Sequence, residues 1–158
     1  MSSERLGALT PVKAEARVLV IDDDDDLRFA TRLALDSAGW HVAEAATAAE
    51  GLRAMDDVDP DVVLLDLGLP DADGFSVLAE LRSSDRTAWV PVVVLSGRSD
   101  PAGGSLLLLA GAQDYLVKPY STAELHARLV AARRVAVQPR SLADSERELR
   151  LLAEHTTD

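Results

Sequence analysis

Carboxylates, a hydroxyl and a lysine recur in this chain at one kind of place, directly after a short apolar run. Asp22 to Asp26 follow VLVI, Asp66 follows VVLL, Ser96 follows VVVL and Lys118 follows YLV. An aspartate run by itself is more often a solvated loop than a site. A second acid, Asp66, at the end of another apolar run changes that reading, because carboxylates held close repel one another unless a cation offsets them. Oxygen-only ligands suit hard Mg²⁺, with its octahedral shell and retained waters. A hydroxyl and a compact, flexible ammonium beside such a cation make a phosphoryl site. Cation and lysine neutralise the phosphoryl oxygens while one carboxylate attacks phosphorus. Asp66 is the candidate nucleophile, since it stands alone at its strand end while the other acids are bunched. Taken singly, Lys118 reads as a surface lysine and Ser96 as a turn residue; their shared position at strand ends joins them to the acids.

For these residues to meet, the apolar runs must be strands of one sheet. From Arg17 onward, short β-branched runs alternate with longer segments of helical period, the pattern of repeated βα units around a parallel sheet. Strands are expected over Val18 to Ile21, Trp40 to Ala45, Val62 to Leu65, Val92 to Leu95 and Tyr115 to Val117. VLVI, VVLL and VVVL are apolar at every position, so helices must cover both faces. In such sheets ligands bind just outside the C-terminal strand edges, where the acids, the hydroxyl and the lysine fall.

The intervening segments supply the helices. Leu27, Ala30, Leu33 and Ala34 mark the expected inward face of a first helix that Gly39 ends. Thr47 with Glu50 forms a capping-box pattern opening a second helix through Met55. A third runs from about Phe75 to Arg82 with Val77, Leu78 and Leu81 inward, and a fifth from Ser121, with Glu124 as capping partner, to about Val135. The fourth is unusual: Gly103 and Gly104 weaken its start and Leu106 to Leu109 follow consecutively. At about 100° per residue, four successive leucines point all round a helix, so some are exposed or touch a partner. After Pro139 the chain turns polar, with Ser145 and Glu148 as a capping box and Leu142, Leu149 and Leu152 at heptad-like spacing, a frayed helix or a short dimerising stub.

A length of 158 residues fits one domain of ordinary size. The net charge of −11 disfavours phosphate backbones and anionic lipid as partners. The absence of cysteine excludes disulfide scaffolds, thiolate metal sites and thiol nucleophiles, and fits reducing cytoplasm. No apolar run approaches the roughly 18 to 20 residues that cross a bilayer, and the start of the chain has no continuous apolar core, so a cytoplasmic protein is expected.

VLVIDDDDDLR, LLDLGLPDADGF, VVVLSG and AGAQDYLVKPY occur in this order, and together they resemble the receiver domain of two-component response regulators. The resemblance covers about Arg17 to Val135. It implies a doubly wound, flavodoxin-like α/β fold with a five-stranded parallel sheet in the order 2-1-3-4-5. It makes Asp66 the phosphoacceptor. Asp22 and Asp23 become the acids that hold Mg²⁺, one through water, with Asp66 and the backbone carbonyl of Gly68 completing the protein's share of the shell. It gives Ser96 a bond to a phosphoryl oxygen, pairs Lys118 with the phosphoryl group and Asp66, makes Tyr115 the aromatic that turns inward as Ser96 is drawn over, and implies a cis bond between Lys118 and Pro119. Gly68 and Arg98, each two positions beyond a site residue, look onto the phosphoryl group in this family. A glycine there positions no water, so fast self-dephosphorylation is not expected.

The organisation that follows is a flexible segment over residues 1–16, a receiver over 17–137 and a helical tail or linker over 138–158. The tail resembles linker helices that precede sensory PAS domains. The expected phosphodonor is a histidine kinase or phosphotransfer protein. Output is expected through the face of the fourth helix, fifth strand and fifth helix, with the tail, to a second copy of the chain or an output domain. Direct DNA binding and membrane contact are not expected. Two other classes compete. Aspartyl-phosphate hydrolases of the haloacid dehalogenase type want an aspartate two residues after the nucleophile, where this chain has Gly68. The other is a phosphorylation-independent interaction module of receiver fold, against which the complete set of acids, hydroxyl and lysine argues.

Overall fold

The computed structural model describes residues 16–97 and 103–135. Strands β1 (Arg17–Ile21), β2 (His41–Ala45), β3 (Val62–Asp66), β4 (Val92–Ser96) and β5 (Asp114–Val117) alternate with helices α1 (Asp25–Ser37), α2 (Ala48–Val58), α3 (Gly74–Ser83) and α4 (Gly103–Leu109). A fifth helix, α5, spans 122–135. All strand pairs are parallel, in the order β2-β1-β3-β4-β5. This is the doubly wound sheet that the resemblance implies.

The wholly apolar strands build two cores because successive side chains leave a strand on opposite faces. Leu19, Ile21, Val63, Leu65, Val92 and Val94 pack with α2, α3 and Leu107 of α4. Val18, Val20, Val62, Leu64, Val93 and Leu95 pack with Leu35 of α1 and with Leu125 and Leu129 of α5. Ala16 closes the second core, and its carbonyl accepts from the His41 N–H at 2.8 Å. Gly51 lets α2 lie close on β1, since a Cβ there would meet Ile21 Cδ1 at 2.5 Å.

Local signals set most helix ends. Thr47 accepts from the Glu50 N–H and Ser121 from the Glu124 N–H, while Gly39 follows α1 at a φ of 100° that favours glycine. The Glu50 side chain reaches back to the Ala46 N–H, one residue before the expected partner, and α2 continues past Met55 to Val58. Trp40 precedes β2, buried among the α1 and α5 side chains, where its indole donates to Nδ1 of buried His126 at 3.1 Å.

The inward face of α1 differs from expectation. Thr31 and Leu35 are buried, whereas Ala30 and Leu33 are exposed. The true stripe runs Leu27, Thr31, Leu35 at i, i+4 spacing; a threonine in its middle hid it from a hydrophobic pattern. In α4 the leucines divide as helix geometry demands. Leu107 is buried, and Leu106, Leu108 and Leu109 are exposed. Arg98 and residues 136–158, including the tail's leucines, lie outside the described residues.

Candidate functional site

Sheet register assembles the site. β1 pairs Ile21 with Leu65 of β3, so Asp22 leaves its strand beside Asp66. β3 pairs Asp66 with Leu95 of β4, and β4 pairs Ser96 with Val117 of β5. Lys118 therefore emerges next to Ser96, and its N–H donates to the Ser96 carbonyl at 2.9 Å. Asp22, Asp66 and Ser96 are buried and Asp23 is exposed. Each of Asp22, Asp23 and Asp66 offers a carboxylate oxygen within 4.8 Å of the others.

Donors orient these acids. Lys118 Nζ lies 2.6 Å from Asp66 Oδ1, and the Gly68 N–H donates to Asp66 Oδ2 at 3.1 Å. The Asp24 N–H donates to Asp22 Oδ1 at 3.0 Å, and the Asp22 N–H to the Ala45 carbonyl at 3.0 Å. Burial holds the Asp22 carboxyl above the ordinary carboxylate range, and repulsion from Asp66 and Asp24 adds to that against the Asp24 N–H and Lys118. For Lys118, burial is the largest single influence and acts downward. The hydrogen bond and charge of Asp66, with Asp22 behind them, together outweigh it and hold the ammonium above its usual range. Lys118 is thus a fixed cation facing a crowded set of acids.

The donor set fits a small hard cation. Ligands about 2.0–2.1 Å from an octahedral ion lie about 2.9 Å apart when adjacent and about 4.2 Å when opposite, within the spread of these oxygens. All donors are oxygen, and the cluster could hold a metal ion.

Asp22, Asp23, Asp66, Gly68, Ser96 and Lys118 come to this one edge, whereas Tyr115 is half-buried on β5 opposite Val94. The Lys118–Pro119 bond is cis. An added Cβ on Gly68 would lie 3.5 Å from Asp66 Oδ2, so a side chain there would face the acid directly.

Two site-shaping residues escaped the sequence reading. Asp71, in the loop after β3, accepts from the Ala48 and Ala49 N–H groups at 2.8 and 3.0 Å, tying that loop to the start of α2. These two bonds hold its carboxyl below the ordinary range. Arg28 of α1 donates to the Asp22 carbonyl at 2.5 Å. Asp71's partners lie 23 and 22 residues away, so no local pattern announces them.

A parallel sheet in this order, with buried acids facing a lysine at its carboxyl edge, defines a doubly wound protein of the flavodoxin-like kind. Within that class the chain belongs to the response regulator receiver domain family, whose model matches residues 18–130; phosphorylation-dependent signalling is the function of that family. Among curated relatives, the transcriptional regulatory protein KdpE of Mycobacterium tuberculosis is 47% identical over 117 residues, covering 73% of this chain and 50% of the relative. The KDP operon transcriptional regulatory protein KdpE of Escherichia coli is 45% identical over 118 residues, covering 74% and 51%. The chain thus spans about half the length of these relatives. NtrX from Brucella abortus is a similar solved structure, with TM-score 0.77 and 28% identity over 84% of this chain and 30% of that one. The receiver domain of the Francisella response regulator 1452 gives TM-score 0.70 and 29% identity over 76% and 98%. Among the described residues no helix is long and apolar enough to cross a membrane.

Proposed function

We propose that this receiver accepts a phosphoryl group on Asp66 from a histidine kinase or phosphotransfer protein and signals by the surface change that follows. The observation that carries this reading is the 2.6 Å contact of Lys118 Nζ with Asp66 Oδ1, inside the cluster of three acids. Asp22, Asp23 and Asp66, with the Gly68 carbonyl, would hold Mg²⁺. When bound, that ion supplies positive charge that offsets the acids' repulsion and draws phosphoryl oxygens in.

The chain's own residues do the rest. Lys118 and the Gly68 N–H hold the two Asp66 oxygens in place, so the nucleophile meets phosphorus already oriented. An Asp66 oxygen forms its bond to phosphorus as the donor histidine's N–P bond breaks and the imidazole leaves. Lys118 then pairs with the phosphoryl oxygens and the Ser96 hydroxyl donates to one of them. The protein catalyses only this transfer and the later dephosphorylation of Asp66, in which water takes the phosphoryl group as inorganic phosphate and the carboxylate is restored.

Drawing Ser96 towards the phosphoryl group leaves space that Tyr115, half-buried on the next strand, can fill. This biases the α4–β5–α5 face towards a second state. Exposed Leu106, Leu108 and Leu109 give that face an apolar surface for a second copy or an output domain. A coupling of about 1–3 kcal/mol is enough to gain or lose such a partner. With a net charge of −11, the chain itself is not proposed to contact DNA.

Intact mass after incubation with acetyl phosphate and Mg²⁺ tests the proposal. One phosphoryl adduct on the wild type, absent with EDTA and in Asp66→Asn, is expected. Failure to form an adduct with both small-molecule and kinase donors, with partner affinity equal in wild type and Asp66→Asn, would instead establish a phosphorylation-independent interaction module.

A further inference from the structure

Arg28 sits in the first turns of α1 and reaches back to the segment that carries two of the clustered acids. Its guanidinium joins three elements. Nη1 donates to the Asp22 carbonyl at 2.5 Å, Nη2 to Asp25 Oδ1 at 2.7 Å and Nε to Glu44 Oε1 of β2 at 3.0 Å. The Arg28 side chain is 16% exposed although Asp25 is 83% exposed, so the guanidinium is packed in place while one of its partners is solvated. Asp22 is thereby held at both ends, its carbonyl by Arg28 and its carboxylate by the Asp24 N–H.

We infer that Arg28 is a positioning residue for the metal cluster: by clamping the Asp22 carbonyl to α1 and to Glu44, it presets where Asp22 and Asp23 offer their oxygens. The inference rests on the reading of Asp22, Asp23 and Asp66 as a Mg²⁺ site. Three bonds in a fixed fork are what a guanidinium can make and an ammonium cannot. Residues that orient metal ligands from behind typically change affinity by about 10- to 100-fold when lost.

Charge and positioning make opposite predictions. A cation near the cluster repels a divalent ion, so if charge governed, removing it in Arg28→Gln would tighten Mg²⁺ binding. A positioning role requires weaker binding in that variant, and weaker binding in Arg28→Lys, which keeps the charge and loses the fork. Arg32 is the control. It shares Glu44, through Nη1 to Oε2 at 3.0 Å, and its other bond is to Asp36.

The experiment is an Mg²⁺ titration of the whole chain followed by amide NMR shifts, which report both the dissociation constant and the integrity of the fold. Arg28→Lys and Arg28→Gln are expected to raise the dissociation constant about tenfold or more while their remaining spectra stay native, with Arg32→Gln unchanged. Unchanged or tighter binding in Arg28→Lys and Arg28→Gln would overturn the inference and leave the metal reading intact. A lower melting temperature with unaltered binding would make Arg28 merely structural and overturn it equally. No binding by the wild type would overturn the metal reading and the inference together.

Discussion

Replacing Asp22 by asparagine removes a charge that the metal-free fold holds at a cost. Asp22 is buried, and its carboxylate oxygen lies within 4.8 Å of those of Asp23 and Asp66. At that separation and an effective dielectric of about 20, one pair of like charges repels by about 3.5 kcal/mol. Burial of the charge adds to this, the Asp24 N–H and Lys118 offset part, and Asp23 is exposed and screened, which leaves a net penalty of about 1–2 kcal/mol. Asparagine keeps an oxygen for the Asp24 N–H, so that bond survives. Asp22→Asn should therefore stabilise the metal-free protein at neutral pH, raising its melting temperature by about 2–8 °C. The sign with pH follows from the raised Asp22 pKa. The wild-type penalty is present above that raised value and disappears as acidification protonates the carboxyl, so the two proteins converge in acid. Mg²⁺ should reverse the order, since a ligand at a hundred times its dissociation constant adds about 2.7 kcal/mol to the form that binds it. Calorimetric melting of both proteins across pH, with EDTA and with Mg²⁺, measures all three effects. A destabilised Asp22→Asn at neutral pH without metal, or a difference that persists in acid, would refute the electrostatic reasoning.

Three further outcomes follow from the packing. Leu107→Ala should cost about 2–5 kcal/mol in urea unfolding, whereas Leu109→Ala, exposed on the same short helix, should stay within about 0.5 kcal/mol. Trp40→Phe takes the indole donor from buried His126 and should cost about 1–3 kcal/mol in the same assay, with no change in Mg²⁺ affinity. Asp71→Ala should lower the melting temperature at neutral pH by freeing the first N–H groups of α2. Because Asp71's pKa is depressed in the fold, its contribution is present above the unfolded value and lost as pH falls through the folded one, so the gap should close in acid melts.

How far the sequence could be read depended on how local each signal was. VLVI, VVLL and VVVL announced doubly covered parallel strands because every position is apolar. Strand ends carrying Asp22, Asp66, Ser96 and Lys118 needed only a parallel register to converge, and the register brings them together. Capping residues such as Thr47 and Ser121 work within three residues, and both act as read. The α1 face departs from its hydrophobic pattern because Thr31 is buried although polar, while Ala30 and Leu33 are exposed although apolar. Arg28 and Asp71 were missed for another reason. Asp71's role exists only once the α2 start, 22 and 23 residues away in the chain, has been folded against it. Arg28, although Asp25 and Asp22 lie three and six residues from it, gains its bond to Glu44 only once β2 is folded against α1.

The most direct measurement of the central claim is to locate the acceptor itself. Borohydride reduces an aspartyl phosphate to homoserine, so the chain would be incubated with acetyl phosphate and Mg²⁺, reduced, digested and mapped by peptide mass. Homoserine at position 66 and at no other aspartate, lost when EDTA is present, is the predicted result. Homoserine at Asp22 or Asp23 with Asp66 intact would contradict the account.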